Sequence, residues 1–245
     1  MLRNGYVVWE GASLIDGSPI VLILTGFVNP TSNRKTGRQL QSWILSQNYV
    51  PTYAAKYGLD NSICGDCPLK LSKTGSCYVN LLTPNNIYRS YIAGNYPKFS
   101  EKELALLEHY RYPIRLGSYG DPTAIPLEIW ESIILASGKH TGYTHRHKSC
   151  DSRWQEYLMA SVHSIPEAKQ AQKQGWRTFR IIAPDAVLSD NEILCRHTED
   201  DRNSCSTCLL CDGKSSKPNI ADKAHGLNWK VSNFLKYLES TSNSI

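Results

Sequence analysis

Apolar and polar residues alternate along this chain in two textures. Residues 5–27 read as two β-segments, GYVVWEG and PIVLILTGF, joined by the turn-rich LIDGSP. The polar, glycine-containing NPTSNRKTGRQL follows as a loop. QLQSWILSQ then spaces its apolar residues for a short helix. Residues 51–80 are loop-rich, and helices are predicted over residues 85–94 and 100–110. Ser100 and Glu103 supply a capping box for the second of these.

From residue 112 the pattern becomes a strand–helix alternation. YPIRLGSYGDP is a strand ending in a turn, and PLEIWESIILAS is an amphipathic helix with Pro126 near its first turn. HTGYTHRH and EYLMASVHS are the next strands, and IPEAKQAQKQG is a helix closed by Gly175. WRTFRIIAP and PNIADKAHG add further strands, and STSNSI reads as a frayed tail. Such alternation predicts an α/β fold, a mostly parallel sheet or a partial, open β/α barrel. The expected division is an irregular, cysteine-containing N-terminal lobe over 1–110 and the strand–helix part over 111–245, integrated as one domain. In such folds the loops after the strands emerge on one side. GSYGDP, THRHKSC, SVHS and the segment CSTCLLCDG are therefore expected at a single mouth.

With 245 residues, 41% hydrophobic and 20% charged, the chain can bury a substantial core. The net charge of +5 permits contact with nucleic acid or an acidic partner without requiring it. The opening MLRNGYVVWEG turns polar almost at once, and the apolar run at 20–27 is too short to span a bilayer. A cytoplasmic protein with no membrane partner is the expectation.

The cysteines change the picture most. There are eight, in groups: Cys64, Cys67 and Cys77; Cys195, Cys205, Cys208 and Cys211; and Cys150 alone. Cytosolic thiols stay reduced, so grouping at short spacing points to metal rather than disulfides. In the second set, two consecutive C-x2-C steps wrap a loop around one centre, and Cys195 supplies a fourth thiolate. Structural zinc more often uses two separated knuckles, and the spacing here is closer to ferredoxin-style cluster binding. Zinc remains the alternative. The first set has three members, and Cys150, His145 or His147 could complete it, or it could stay open to a small ligand. A zinc-clamped loop is the plainer account of it, and Cys150 alone reads as an ordinary half-buried thiol.

Around these sets, Asp121 is expected to cap its own turn or to face a ligand. His145 and His147, two apart, would share a strand face. Tyr119, Tyr143 and His163 fall at strand ends, where they would flank a cofactor or seal the mouth. The loop SNRKTGRQ offers Arg34, Lys35 and Arg38 to solvent or to phosphate, without the G-x-x-x-x-G-K-[ST] pattern. G-x-G-x-x-G, G-x-S-x-G and H-E-x-x-H do not occur, which disfavours dinucleotide oxidoreductases, hydrolases of that style and zincins.

Residues 5–26, SNRKTGRQLQSWIL, SICGDCPLK with SCYVN, PIRLGSYGDP, TGYTH, MASVHS, GWRTFR, the C-x2-C-x2-C-x-G segment and AHG together resemble an uncharacterised family of phage and bacterial proteins. That family looks like iron–sulfur proteins on a partial, radical-SAM-like (β/α) barrel, and the resemblance covers nearly the whole chain. It implies a cluster, 4Fe-4S, at Cys195, Cys205, Cys208 and Cys211, a metal at the first set, and a phage protein acting in the host cytoplasm. S-adenosylmethionine is a further ligand it raises, although the C-x3-C-x2-C loop of ordinary radical-SAM enzymes is absent. Two functions follow as expectations: redox or radical-type chemistry with a redox partner, or a zinc-stapled module that binds nucleic acid or protein without catalysis.

Overall fold

The structure, a computed structural model, describes residues 2–213 and 215–242. Its nine described strands are β1 (Gly5–Ala12), β2 (Pro19–Thr25), β3 (Leu40–Ser46), β4 (Ile114–Tyr119), β5 (His140–Thr144), β6 (Met159–Val162), β7 (Thr178–Ile182), β8 (Glu192–Leu194) and β9 (Asn219–Lys223). They form one open sheet in the order β1-β2-β3-β4-β5-β6-β7-β9-β8. The first three pair antiparallel, and every later pair is parallel.

QLQSWILSQ is therefore not a helix. It forms β3, buried at every position between β2 and β4. A strand covered on both faces has no reason to alternate, so its apolar spacing imitates a helical one. The expected division at residue 110 falls inside this sheet, since Leu40 of β3 pairs with Ile114 of β4. The short β8, which the sequence pattern did not show, is held beside β9 and by a buried ion pair, with Arg180 Nη2 2.6 Å from Glu192 Oε2.

The helices are α1 (Pro51–Tyr57), α2 (Asn61–Cys64), α3 (Leu82–Ile92), α4 (Glu101–Tyr110), α5 (Leu127–Ser137), α6 (Ile165–Lys173), α7 (Arg196–Glu199), α8 (Cys205–Cys208) and α9 (Asn228–Ser242). The capping box of Ser100 and Glu103 opens α4 as expected. Of the expected tail, residues 240–242 continue α9, and residues 243–245 lie outside the described residues. Among the described residues, no helix is long and apolar enough to cross a membrane.

Strand alternation then divides the core. Ile114 and Leu116 of β4, with Ala160 and Val162 of β6, join a large cluster with Leu107 of α4, Trp130 and Ile133 of α5 and Ala168 of α6. The intervening residues point the other way. Met159, Phe179 and Ile220 form a second cluster, against which Tyr143, Cys195, Leu210 and Cys211 pack. Helices α4 to α6 cover one face of the sheet, and the second cysteine segment covers the other over β5 to β9.

Candidate metal centres

The second cysteine set arises from the long connection between β8 and β9. Cys195 follows β8 directly, its N–H donating to the Ala221 carbonyl at 2.7 Å. Cys205 and Cys208 are the ends of α8, a single turn opened by a capping box of Ser204 and Thr207. Leu209 adopts φ 52°, a left-handed conformation that reverses the chain and brings Cys211 back to the sheet. There the Gly142 N–H donates to the Cys211 carbonyl at 2.8 Å. Arg177 fastens the rest of the loop by donating to the carbonyls of Leu210 (2.8 Å), Gly213 (2.7 Å) and Pro218 (2.6 Å) and to Asp212 Oδ1 (3.1 Å).

The loop SNRKTG, expected to face solvent or phosphate, is the other wall. Its Lys35 carbonyl accepts from the Cys205 N–H at 2.7 Å and its Thr36 carbonyl from Ser206 at 3.1 Å. Lys35 Nζ meets Asp222 Oδ2 at 2.5 Å. Gly37 sits at φ +64°, and a side chain there would come within 2.3 Å of Ser206 Oγ. Glycine is required at this crossing. All four cysteines, with Thr141 of β5 and Ile220 of β9, line one small cavity. That cavity lies on the sheet face over the first halves of these strands, not at the carboxyl-end mouth anticipated from the strand–helix pattern.

Cys205, Cys208 and Cys211 resist ionisation as they stand. Burial pushes Cys211 well up, and the neighbouring Cys205, Cys195 and Cys208 push it further. Cys205 and Cys208 are raised by burial too, opposed by Arg115 and Lys35 at the first and by Arg196 and Lys217 at the second. Arg115 is paired in register with Thr141 and lies 5.6 Å over the Tyr143 ring. Several thiols crowded among cations make a site that gives up protons when a metal ion arrives. The donor set fits a thiolate-bound metal or cluster.

The first set lies in the connection between β3 and β4. Cys64 ends α2, and Cys67 follows within one turn, its N–H donating to the Cys64 carbonyl at 3.2 Å. Lys70 Nζ donates to the Gly65 carbonyl at 3.0 Å and lies 3.1 Å from Asp60 Oδ1, both side chains being buried. Burial raises all three thiols, Cys67 to about 12, while Asp60 raises Cys64 and Cys77 further. Two buried polar atoms beside them, Asp60 Oδ1 and Tyr119 Oη, have no hydrogen-bond partner. Tyr119 is itself pushed well up by burial and by Cys64, Asp60 and Cys77. An unpartnered phenol oxygen, and a carboxylate oxygen held only by the Lys70 ammonium, beside these thiols fit a bound cation better than an empty core.

The other sequence candidates gather around Asp121 at the end of β4. Its carboxylate accepts from Thr123 Oγ1 (2.8 Å), Thr144 Oγ1 (2.8 Å) and the His145 N–H (3.1 Å), and its own N–H donates to the Ile63 carbonyl at 2.6 Å. Asp121 thus caps its turn and also ties the first cysteine loop to β5. Strand β5 ends at Thr144, so His145 and His147 do not share a strand face. His145 Nε2 lies 3.2 Å from His163 Nε2 and 3.1 Å from Ser161 Oγ. His147 packs edge-on to Trp176, its ring nitrogens buried without partners. Burial lowers His145 to about 4 and His163 further. Cys150 is pushed up to about 12 by burial and Asp121, with Arg146 opposing. Tyr143 stacks on Phe179 at 4.4 Å, in the apolar cluster against which Cys195 and Cys211 pack, rather than at the mouth.

GSYGDP, THRH and SVHS thus meet each other and the first cysteine set, whereas CSTCLLCDG stands on the sheet face. Sequence reasoning did not single out Asp60, Arg115 or Arg177; each is a lone charged residue whose partners come from distant segments. Among the described residues, no three His, Cys, Asp or Glu side chains already stand at closed metal-ligand spacing. No family model, curated protein or solved structure matches the chain.

Proposed function

We propose that this chain is an iron–sulfur protein on a partial (β/α) barrel, serving electron transfer or atypical radical-type chemistry. Cys195, Cys205, Cys208 and Cys211 would hold a 4Fe-4S cluster, and Cys64, Cys67 and Cys77 a second metal centre. The observation that carries this reading is the cavity lined by all four cysteines of the second set. Its spacing of consecutive C-x2-C steps with a remote fourth thiol favours a cluster over zinc.

A cluster there would supply one-electron transfer. The chain's own residues do the rest. Arg177 and Gly142 hold the loop, Phe179 and Ile220 exclude water, and Arg115 and Lys35 offset negative charge. Three thiols in the first set, against four in the second, leave a position for a ligand of another kind.

The test is anaerobic purification or reconstitution, followed by iron and sulfide analysis and an absorbance spectrum. Brown protein absorbing near ~400 nm, bleached by Cys208→Ser, is the expected result. Colourless protein with stoichiometric zinc would overturn the proposal and leave the zinc-stapled binding module. Release of 5′-deoxyadenosine on reduction with S-adenosylmethionine would mark radical chemistry; without release, electron transfer is the reading that stands.

A further inference from the structure

We infer that Asp60 is the fourth protein ligand of the first metal centre, its carboxylate completing the set of Cys64, Cys67 and Cys77. This rests on the reading of those cysteines as a metal centre.

Backbone geometry puts the carboxylate beside the thiols. The Cys64 N–H donates to the Asp60 carbonyl at 2.9 Å, a helical bond, so Asp60 and Cys64 are i and i+4 neighbours on one face. Asp60 occupies the N-cap position of α2, where an aspartate ordinarily accepts from the first turn, yet its side chain makes no capping bond. The carboxylate is instead buried at 2% exposure, and Oδ1 lacks a hydrogen bond although Lys70 Nζ stands 3.1 Å away. A carboxylate that forgoes its cap and is buried beside Cys64 and Cys77 is placed for a cation. Lys70 offsets part of the negative charge that three thiolates and a carboxylate would bring together.

Asp60 acts electrostatically on Cys64 and Cys77, and the other candidates are not among the groups that do so. His145 Nε2 stands between Ser161 and His163. His147 packs edge-on to Trp176, its ring nitrogens without partners. Cys150 lies in the turn whose N–H bonds the Arg146 carbonyl at 2.9 Å, with Asp121 and Arg146 for electrostatic neighbours. Tyr119 Oη faces the same group of residues, but a phenol raised by burial is a poor ligand and a good hydrogen-bond donor to a bound carboxylate.

Oxygen in place of a fourth sulfur gives a harder, more exchangeable corner than the second centre has. On loading, the thiols lose their protons to solvent.

Anaerobic cobalt(II) titration of the full chain tests the inference, because thiolate-to-cobalt charge-transfer absorption counts the sulfurs. Asp60→Asn should weaken cobalt at this centre on the order of tenfold or more. Asp60→Cys should restore binding and raise the centre's charge-transfer intensity by roughly one third, from three thiolates to four. Because both changes strand Lys70, Lys70→Met is the control: it breaks the ion pair but keeps the carboxylate, and should retain cobalt. Equal loss in Asp60→Asn and Lys70→Met, or unchanged intensity in Asp60→Cys, would make Asp60 only an ion-pair partner and overturn the inference. Failure of the underlying reading looks different: Cys64→Ser would then leave cobalt uptake unaltered.

Discussion

The backbone N–H of Gly142, in the middle of β5, donates to the carbonyl of Cys211 at 2.8 Å. One hydrogen bond thus joins the last cysteine of the second set to the sheet, and Arg177 holds the residues on either side of it. Arg177→Met should strand the carbonyls of Leu210, Gly213 and Pro218, which now share its guanidinium. The expected cost is about 3 kcal/mol in chemical denaturation, with loss of metal from the second centre but not the first. Denaturation unchanged within error would show that water replaces the guanidinium.

Gly37→Ala places a methyl group 2.3 Å from Ser206 Oγ and 2.9 Å from Ser204 Cβ, at a φ of +64°. Left-handed strain adds roughly 1 kcal/mol to the steric cost. Metal analysis should find the second centre depleted, because the loop carrying Cys205 must move, while cobalt uptake at the first stays intact.

Arg115→Gln removes a cation that opposes the raised thiol of Cys205. A reduced cluster carries one more negative charge, so losing the cation disfavours reduction. Redox titration should find the potential of the second centre lowered on the order of 50 mV, the size of one partly screened charge. An unshifted potential with full iron content would remove Arg115 from the role.

Acid should weaken the fold through its buried imidazoles. Burial lowers His145 to about 4 and His163 further, against an unfolded value of roughly 6.5. The unfolded chain therefore binds more protons. The stability contributed is full above about pH 6.5 and drains away as pH falls toward 4, on the order of 3 kcal/mol for His145. Glu167 opposes the shift at His145, and His147 reinforces it. Urea denaturation at pH 7 and pH 4.5 should show a loss in the parent chain that His145→Gln reduces. Equal losses in both would exclude this imidazole as the cause.

Much of the fold was legible from periodicity. The strands at 5–27, the capping box of α4 and the alternation beyond residue 112 stand where apolar spacing puts them. The pattern misled at β3, where burial on both faces erased alternation, and was silent at β8, whose three residues carry too short a period to see. In the candidate site, cysteine spacing picked out both sets because their members lie close together in sequence. It does not show Asp60, a lone charged residue in a loop-rich stretch, or the SNRKTG loop, whose partners lie far along the chain. Its place beside Cys205 is tertiary information, carried by Lys35 and Asp222 at a separation of 187 residues.

That separation has a consequence for how the chain is made. The second centre has one wall near the start of the polypeptide and the other near its end, so its contacts are among the most non-local in the molecule. During synthesis the SNRKTG loop waits, unmatched, until β9 has left the ribosome. Closing so long a loop is slow and comes late. Metal arriving at Cys205, Cys208 and Cys211 before then would find three thiols without their wall, and a stalled or clipped chain would expose them to oxidation. A metal held at these cysteines would thereby find its complete site only once the sheet is complete.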